Sequence, residues 1–144
     1  MKADMKPHSG NKWLVLGAMS GTSLDGLDLA LVEFQRIENR WNFVIIAAET
    51  VNYSAEWEEK LRTAPELTGE KLIELNHAYG NFTGQQINLF VKKHQLSPDL
   101  IASHGHTVFH QPEKGFTFQA GNGVCIAAET GIPTVADFRS GDVA

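Results

Sequence analysis

The sequence predicts a mixed α/β domain: a three-strand antiparallel meander, then helices interleaved with strands that run parallel to the first. Three observations carry this expectation. Apolar stretches at Trp13–Met19, Leu27–Phe34 and Trp41–Tyr53 follow one another across short polar connections. The apolar period then changes to helical spacing. Beyond Pro98, short apolar runs alternate with a capped helical segment. The chain has 144 residues, 42% of them apolar and 20% charged, enough for one domain with a core.

Each element has a local reason. Trp13–Met19 is apolar and ends in Ser-Gly, as a strand does. Leu27–Phe34 is apolar on both faces at its centre, so both sides should be covered. Asp25-Gly26 before it is a hairpin signal, and Arg36–Arg40 is a polar connection into the long strand Trp41–Tyr53. Ser54 caps a helix carrying Trp57, Leu61 and Ala64, stopped by Pro65. Thr68 caps a longer helix with Leu72, Leu75, Tyr79, Phe82, Ile87 and Phe90 in one stripe. Gly80 and Gly84 each weaken that helix by roughly 1 kcal/mol relative to Ala, which predicts a kink or a close helix contact. Leu100–Ser103 reads as a short buried strand leading into His104–Thr107. Val108–His110 and Phe116–Gln119 flank a small hairpin. Asn122 caps a helix that closes at Gly131, and Pro133–Asp137 is the last strand. Cys125, Trp13, Trp41 and Trp57 read as packing residues.

Bulk properties narrow the class. The formal net charge is −5 and no basic stripe exists, so nucleic acid is not an expected partner. No apolar run approaches the ~20 residues that span a bilayer, so no membrane association is expected. Residues 1–12 are charged and lack an apolar signal core, and read as a flexible arm. Cys125 is the single cysteine, which excludes an intrachain disulfide. Together these predict a soluble cytoplasmic protein.

The chemistry concentrates in Gly17–Asp28. A turn rich in Gly, Ser and Thr joins two strands and offers backbone N–H groups, hydroxyls and two carboxylates. That inventory suits a phosphate chain and its metal ion. It lacks the lysine of a P-loop and the spacing of a dinucleotide fingerprint, and it leads into a strand. A strand–turn–strand hairpin over phosphates is the first phosphate motif of the actin, hexokinase and Hsp70 superfamily. Further along, Asp137, Arg139 and Asp142 follow a predicted parallel strand, where open α/β sheets place ligands.

Three segments in register carry a family resemblance: Met19–Asp28, Ser103–Pro112 and Gly131–Ala144. Together they resemble anhydro-N-acetylmuramic acid kinases, from Trp13 onward. The resemblance implies an actin-like, RNase-H-type lobe spanning 13–144, incomplete at its C-terminus. It also implies an ATP- and Mg²⁺-dependent kinase that opens 1,6-anhydro-N-acetylmuramic acid with water and phosphorylates O6. The product would be N-acetylmuramic acid 6-phosphate, in cell-wall recycling. By the family pattern, Gly21, Thr22, Ser23, Leu24, Asp25, Gly26, Leu27 and Asp28 bind ATP, with Asp25 or Asp28 positioning Mg²⁺ through water. His104, Thr107, Asp137 and Arg139 bind the sugar, Arg139 through its lactyl carboxylate. The general base is expected beyond residue 144, so the chain alone is expected to be inactive.

One motif departs from the pattern. The family's His-Gly-Gln-Thr is here His104-Gly105-His106-Thr107, which changes a group expected to face sugar hydroxyls. Two rival functions follow from other features. His104, His106 and His110 suggest a metal-dependent hydrolase. An incomplete lobe could instead bind sugar or partner chains without catalysis, and self-associate through an uncovered face.

Overall fold

The computed structural model describes residues 11–144, so residues 1–10 of the expected arm lie outside it. The chain forms β1 (Lys12–Ser20), β2 (Gly26–Ile37), β3 (Arg40–Asn52), α1 (Ala55–Arg62), α2 (Gly69–His94), β4 (Leu100–Gln111), β5 (Phe116–Ala120), α3 (Gly123–Thr130), β6 (Thr134–Ala136) and α4 (Ser140–Val143). Strand order is β3-β2-β1-β4-β5, with β6 also on β4. The first three strands are an antiparallel meander, and β4 lies parallel to β1. This is the mixed α/β sheet with flanking helices that the sequence predicts, in the arrangement of a sugar-kinase or actin-like lobe.

One end of β1 is built into the sheet from the first described residues. Lys12 ion-pairs with Glu33 at 2.8 Å, and the Asn11 carbonyl accepts from the Arg36 amide. The strand therefore starts one residue inside the segment read as an arm.

The helices cover one face. Leu16, Ala18, Leu29, Leu31 and Ile101 of the sheet meet Leu61, Tyr79, Ile87, Phe90 and Ile126 of α1, α2 and α3. Caps place the helices as the sequence indicates. Ser54 accepts from the Trp57 amide, and Asn122 accepts from Val124 and Cys125 at 2.9 and 3.1 Å. Pro65 does stop α1, but the chain continues as a single 3₁₀ turn over Ala64–Glu66. Gly80 and Gly84 mark a close helix contact. A Cβ at Gly80 would lie 2.7 Å from the Asn122 carbonyl, and one at Gly84 would lie 2.7 Å from Glu129 Cβ. Gly80→Ala should therefore destabilise the fold by about 1–3 kcal/mol through overpacking, despite alanine's better helix propensity. Denaturant unfolding checks the sign.

Three expectations are corrected. Leu100–Gln111 is one strand of 12 residues, where a short strand and a separate hairpin arm were expected. A bulge at Gly105, φ +72°, lets the chain kink without ending the ladder. A short final helix, α4, follows β6. Trp41 is not a packing residue. It stands 57% exposed on the β3 edge of the sheet, beside exposed Phe43, Val44, Ile45 and Ile46. By contrast Trp57 sits in an aromatic cluster with Tyr79 and Phe82.

The second face of the sheet carries two hollows. One, about 420 Å³, is lined by Trp13, Val15, Phe34, Trp41 and Leu100. The other, about 370 Å³, is bordered by Met19, Asp28, Ala30, His104 and Phe138 among others.

Candidate functional site

The site starts from the way β4 divides its outer flank. Residues Ile101–Ser103 pair with β6 in parallel, and His106–Gln111 pair with β5 in antiparallel. The two neighbours separate around His104 and Gly105. A polar hollow of about 290 Å³ opens in that fork. Ser103, His104, Thr117, Gln119, Asn122, Asp137 and Ser140 are among the residues that line it.

His104 and Asp137, both expected to face ligand, meet here. Asp137 is held at φ +57°, and its carboxylate accepts from Ser140 Oγ at 2.6 Å. Thr107 and Arg139 do not line the hollow. The Thr107 hydroxyl lies 3.5 Å from Gln119 Nε2, and Arg139 pairs with Asp142 at 3.3 Å.

Asn76, Gln119 and Ser140 join the hollow without a signal in their own segments, and Asn122, legible as a helix cap, joins it too. Asn76 reaches from α2 to fix the loop before α3. Its Oδ1 accepts from the Gly121 amide at 2.8 Å, and its carbonyl accepts from Asn122 at 3.1 Å. Gln119 is oriented by a short relay. Thr117 Oγ1 donates to the Phe109 carbonyl at 3.0 Å, so it must accept from Gln119 Nε2 at 2.7 Å.

The glycine turn lies at the same end of β1. Thr22, Ser23, Asp25 and Asp28 are exposed, while Gly26 and Leu27 are buried. Leu24 takes φ +59°, and its amide donates to the Gly21 carbonyl at 3.4 Å. A Cβ on Gly26 would lie 2.6 Å from the Val51 carbonyl, so only glycine lets the turn close onto β3. Asp25 accepts from Ser23 Oγ at 2.7 Å. That hydroxyl, then the backbone N–H groups of Asp25 and Gly26, hold its carboxyl below the usual carboxylate range. Asp28 accepts from Thr50 Oγ1 at 2.5 Å and borders the hollow on the open sheet face. His104 borders both that hollow and the polar one, so the recess beside Asp28 and the fork share a wall.

His106 corrects the expectation that it faces sugar. The bulge at Gly105 shifts the alternation of β4 and turns this side chain into the core. It is 5% exposed, with Nδ1 2.9 Å from Ser20 Oγ. Burial, then His104 nearby, pushes its pKa below the ordinary 6.5. The folded state therefore favours neutral imidazole, while the unfolded chain protonates at the ordinary value. As pH falls below about 6.5 the unfolded state binds more protons, so stability present above that pH is lost toward the lowered folded value. The melting midpoint should drop between pH 7 and pH 5, and should drop less in His106→Gln.

The rival metal reading also fails on geometry. His106 points into the core at Ser20, while His110 is exposed beside Thr117 Oγ1. Among the described residues no group of three or more His, Cys, Asp or Glu could hold a metal ion. Mg²⁺ needs no such cage, because it keeps waters and is held by one or two carboxylates with substrate phosphates. Exposed Asp25 and Asp28 fit that mode. No helix among the described residues is long and apolar enough to cross a membrane.

Comparison with known proteins decides the lineage. The family model for anhydro-N-acetylmuramic acid kinase matches residues 13–144. The chain belongs to the anhydro-N-acetylmuramic acid kinase family. It is 40% identical over 137 residues to the enzyme of that name from Pasteurella multocida, covering 90% of this chain and 35% of the relative. The Microcystis aeruginosa enzyme is 41% identical over 139 residues, covering 91% and 36%. The Synechococcus elongatus enzyme is 36% identical over 137 residues, covering 90% and 36%. The chain thus spans about a third of the length of these curated relatives. The turn, the fork and His104 all lie inside the segment that the kinase family model matches.

Proposed function

We propose that this chain supplies the phosphate turn and one wall of the sugar site of an ATP-dependent anhydro-N-acetylmuramic acid kinase. The reaction proposed is ring opening of the 1,6-anhydro sugar by water, with transfer of the γ-phosphoryl group to O6 and release of N-acetylmuramic acid 6-phosphate. One observation supports the reading above others: His104 borders both the polar fork and the hollow beside Asp28, inside a chain of this family.

In this reading the amides and hydroxyls of Gly21–Gly26 bind the phosphates, where positioning and charge stabilisation dominate phosphoryl transfer. Mg²⁺ would neutralise charge on the phosphates, and Asp28 is assigned to orient its water shell. Asp137, Ser140 and His104 orient the sugar in the fork. Arg139 exchanges Asp142 for the lactyl carboxylate, and Thr107 supports Gln119 from behind. The base that activates water is assigned to the part of the relatives that this chain does not span. In this reading the kinase works in the cytoplasm, recycling wall sugars. The exposed run Trp41–Ile46 is proposed as a contact for a second copy or a further lobe.

The test is direct. The full-length protein that carries this chain, given ATP, Mg²⁺ and the anhydro sugar, should form the 6-phosphate. Absence of phosphorylated sugar, with correctly folded protein, overturns the assignment. Calorimetry on the 144-residue chain alone should show very weak or no Mg·ATP binding, since the chain spans about a third of the length of its curated relatives.

A further inference from the structure

We infer that Ser20, His106, Tyr53 and Tyr79 form a buried clamp that fixes the base of the glycine turn, with His106 as a positioning residue that never touches nucleotide. The inference rests on the proposed phosphate role of the turn and adds what holds it in place.

The clamp joins four separate parts of the chain. Ser20 closes β1 and directly precedes Gly21. Its Oγ lies 2.9 Å from His106 Nδ1 of β4, and the two residues are paired across the β1–β4 ladder. Both are nearly sealed from solvent, at 2% and 5% exposure. Tyr53, just past β3, and Tyr79 of α2 place their hydroxyls 2.5 Å apart. The Ser20 hydroxyl lies close enough to both tyrosine hydroxyls to oppose the rise in their pKa that burial causes. At the far end of the turn, Gly26 is wedged against the backbone of Val51, two residues before Tyr53. Both roots of the turn are therefore fixed from inside, while Thr22, Ser23 and Asp25 between them stay exposed.

Nδ1 of neutral His106 shares one hydrogen bond with Ser20 Oγ, and the imidazole tautomer sets which of the two donates. A glutamine in that position carries both an acceptor and a donor and can keep the bond in either sense. A side chain of similar size without a polar group cannot. Ser20 would then lose its anchor, and the backbone leading into Gly21 would be free to move.

The experiment uses the full-length protein that carries this chain, with three variants: His106→Leu, His106→Gln and Tyr53→Phe. His106→Leu should raise the KM for ATP about tenfold, because small misplacements of positioning groups are costly. The KM for the sugar should stay within about twofold and His106→Gln should restore ATP affinity to within about threefold. Tyr53→Phe, a milder change that keeps the ring packing, should give an intermediate effect. An unchanged ATP KM in folded His106→Leu overturns the clamp. So does an equal rise in the sugar KM, or a glutamine variant as impaired as leucine. Backbone order parameters for Gly21–Gly26, measured without ligand, give a readout independent of the kinase assignment. They should fall from about 0.85 to below about 0.6 in Tyr53→Phe and His106→Leu. If they fall while wild type shows no kinase activity, the clamp stands and the kinase reading fails. If they do not change, the clamp fails whatever ATP does.

Discussion

Gly105→Ala is expected to lower the unfolding free energy by about 3 kcal/mol and the melting midpoint by roughly 6–12 °C. Two costs combine. Gly105 sits at φ +72°, a conformation that a Cβ penalises. That Cβ would also lie 2.4 Å from the Ala120 carbonyl, a backbone atom that cannot swing aside. The effect on the site should exceed the loss of stability. Gly105 is the bulge that sends His104 to the fork and His106 to the core, so straightening it displaces both. Calorimetric melting combined with ATP and sugar KM values separates the two consequences. A melting midpoint within 2 °C of wild type would show that the bulge is not strained as described.

Asp28→Asn is expected to cut kcat of the full-length protein by about 10²–10³, with little change in melting. Asp28 is exposed, so its charge contributes little to folding. Its carboxylate is positioned by Thr50 and faces the hollow beside His104. Asparagine keeps the acceptor for Thr50 but removes the charge assigned to orient the Mg²⁺ shell. Asp25→Asn should be milder, below about tenfold in kcat, because the Asp25 carboxylate is already engaged by Ser23 and the turn amides. If Asp25→Asn proves the more damaging variant, the roles of the two carboxylates are reversed.

What the sequence revealed follows the range of the interactions involved. The meander, the caps at Ser54 and Asn122, and the glycine turn are encoded by neighbours a few residues apart. They were legible from alternation and capping chemistry alone. The fork was not. It depends on β5 and β6 taking different halves of one flank of β4, which no local pattern expresses. Asn76 reaches Gly121 across 45 positions, so nothing around either residue announces the bond. His106 was misplaced for a related reason. Strict alternation along β4 puts it on the open face, and one added residue at the bulge reverses that. Gly105 was the available sign, since a glycine inside a strand often marks such a bulge. Trp41 looked like core because it is large and apolar, yet an edge strand leaves it exposed.

His104 is a single imidazole shared by two recesses, one beside Asp28 and one in the fork. Two molecules seated there would each meet the same ring. By linkage, whatever factor the first changes in the second's affinity, the second must return to the first. Removing that ring should therefore uncouple the pair, leaving each to bind as though the other were absent.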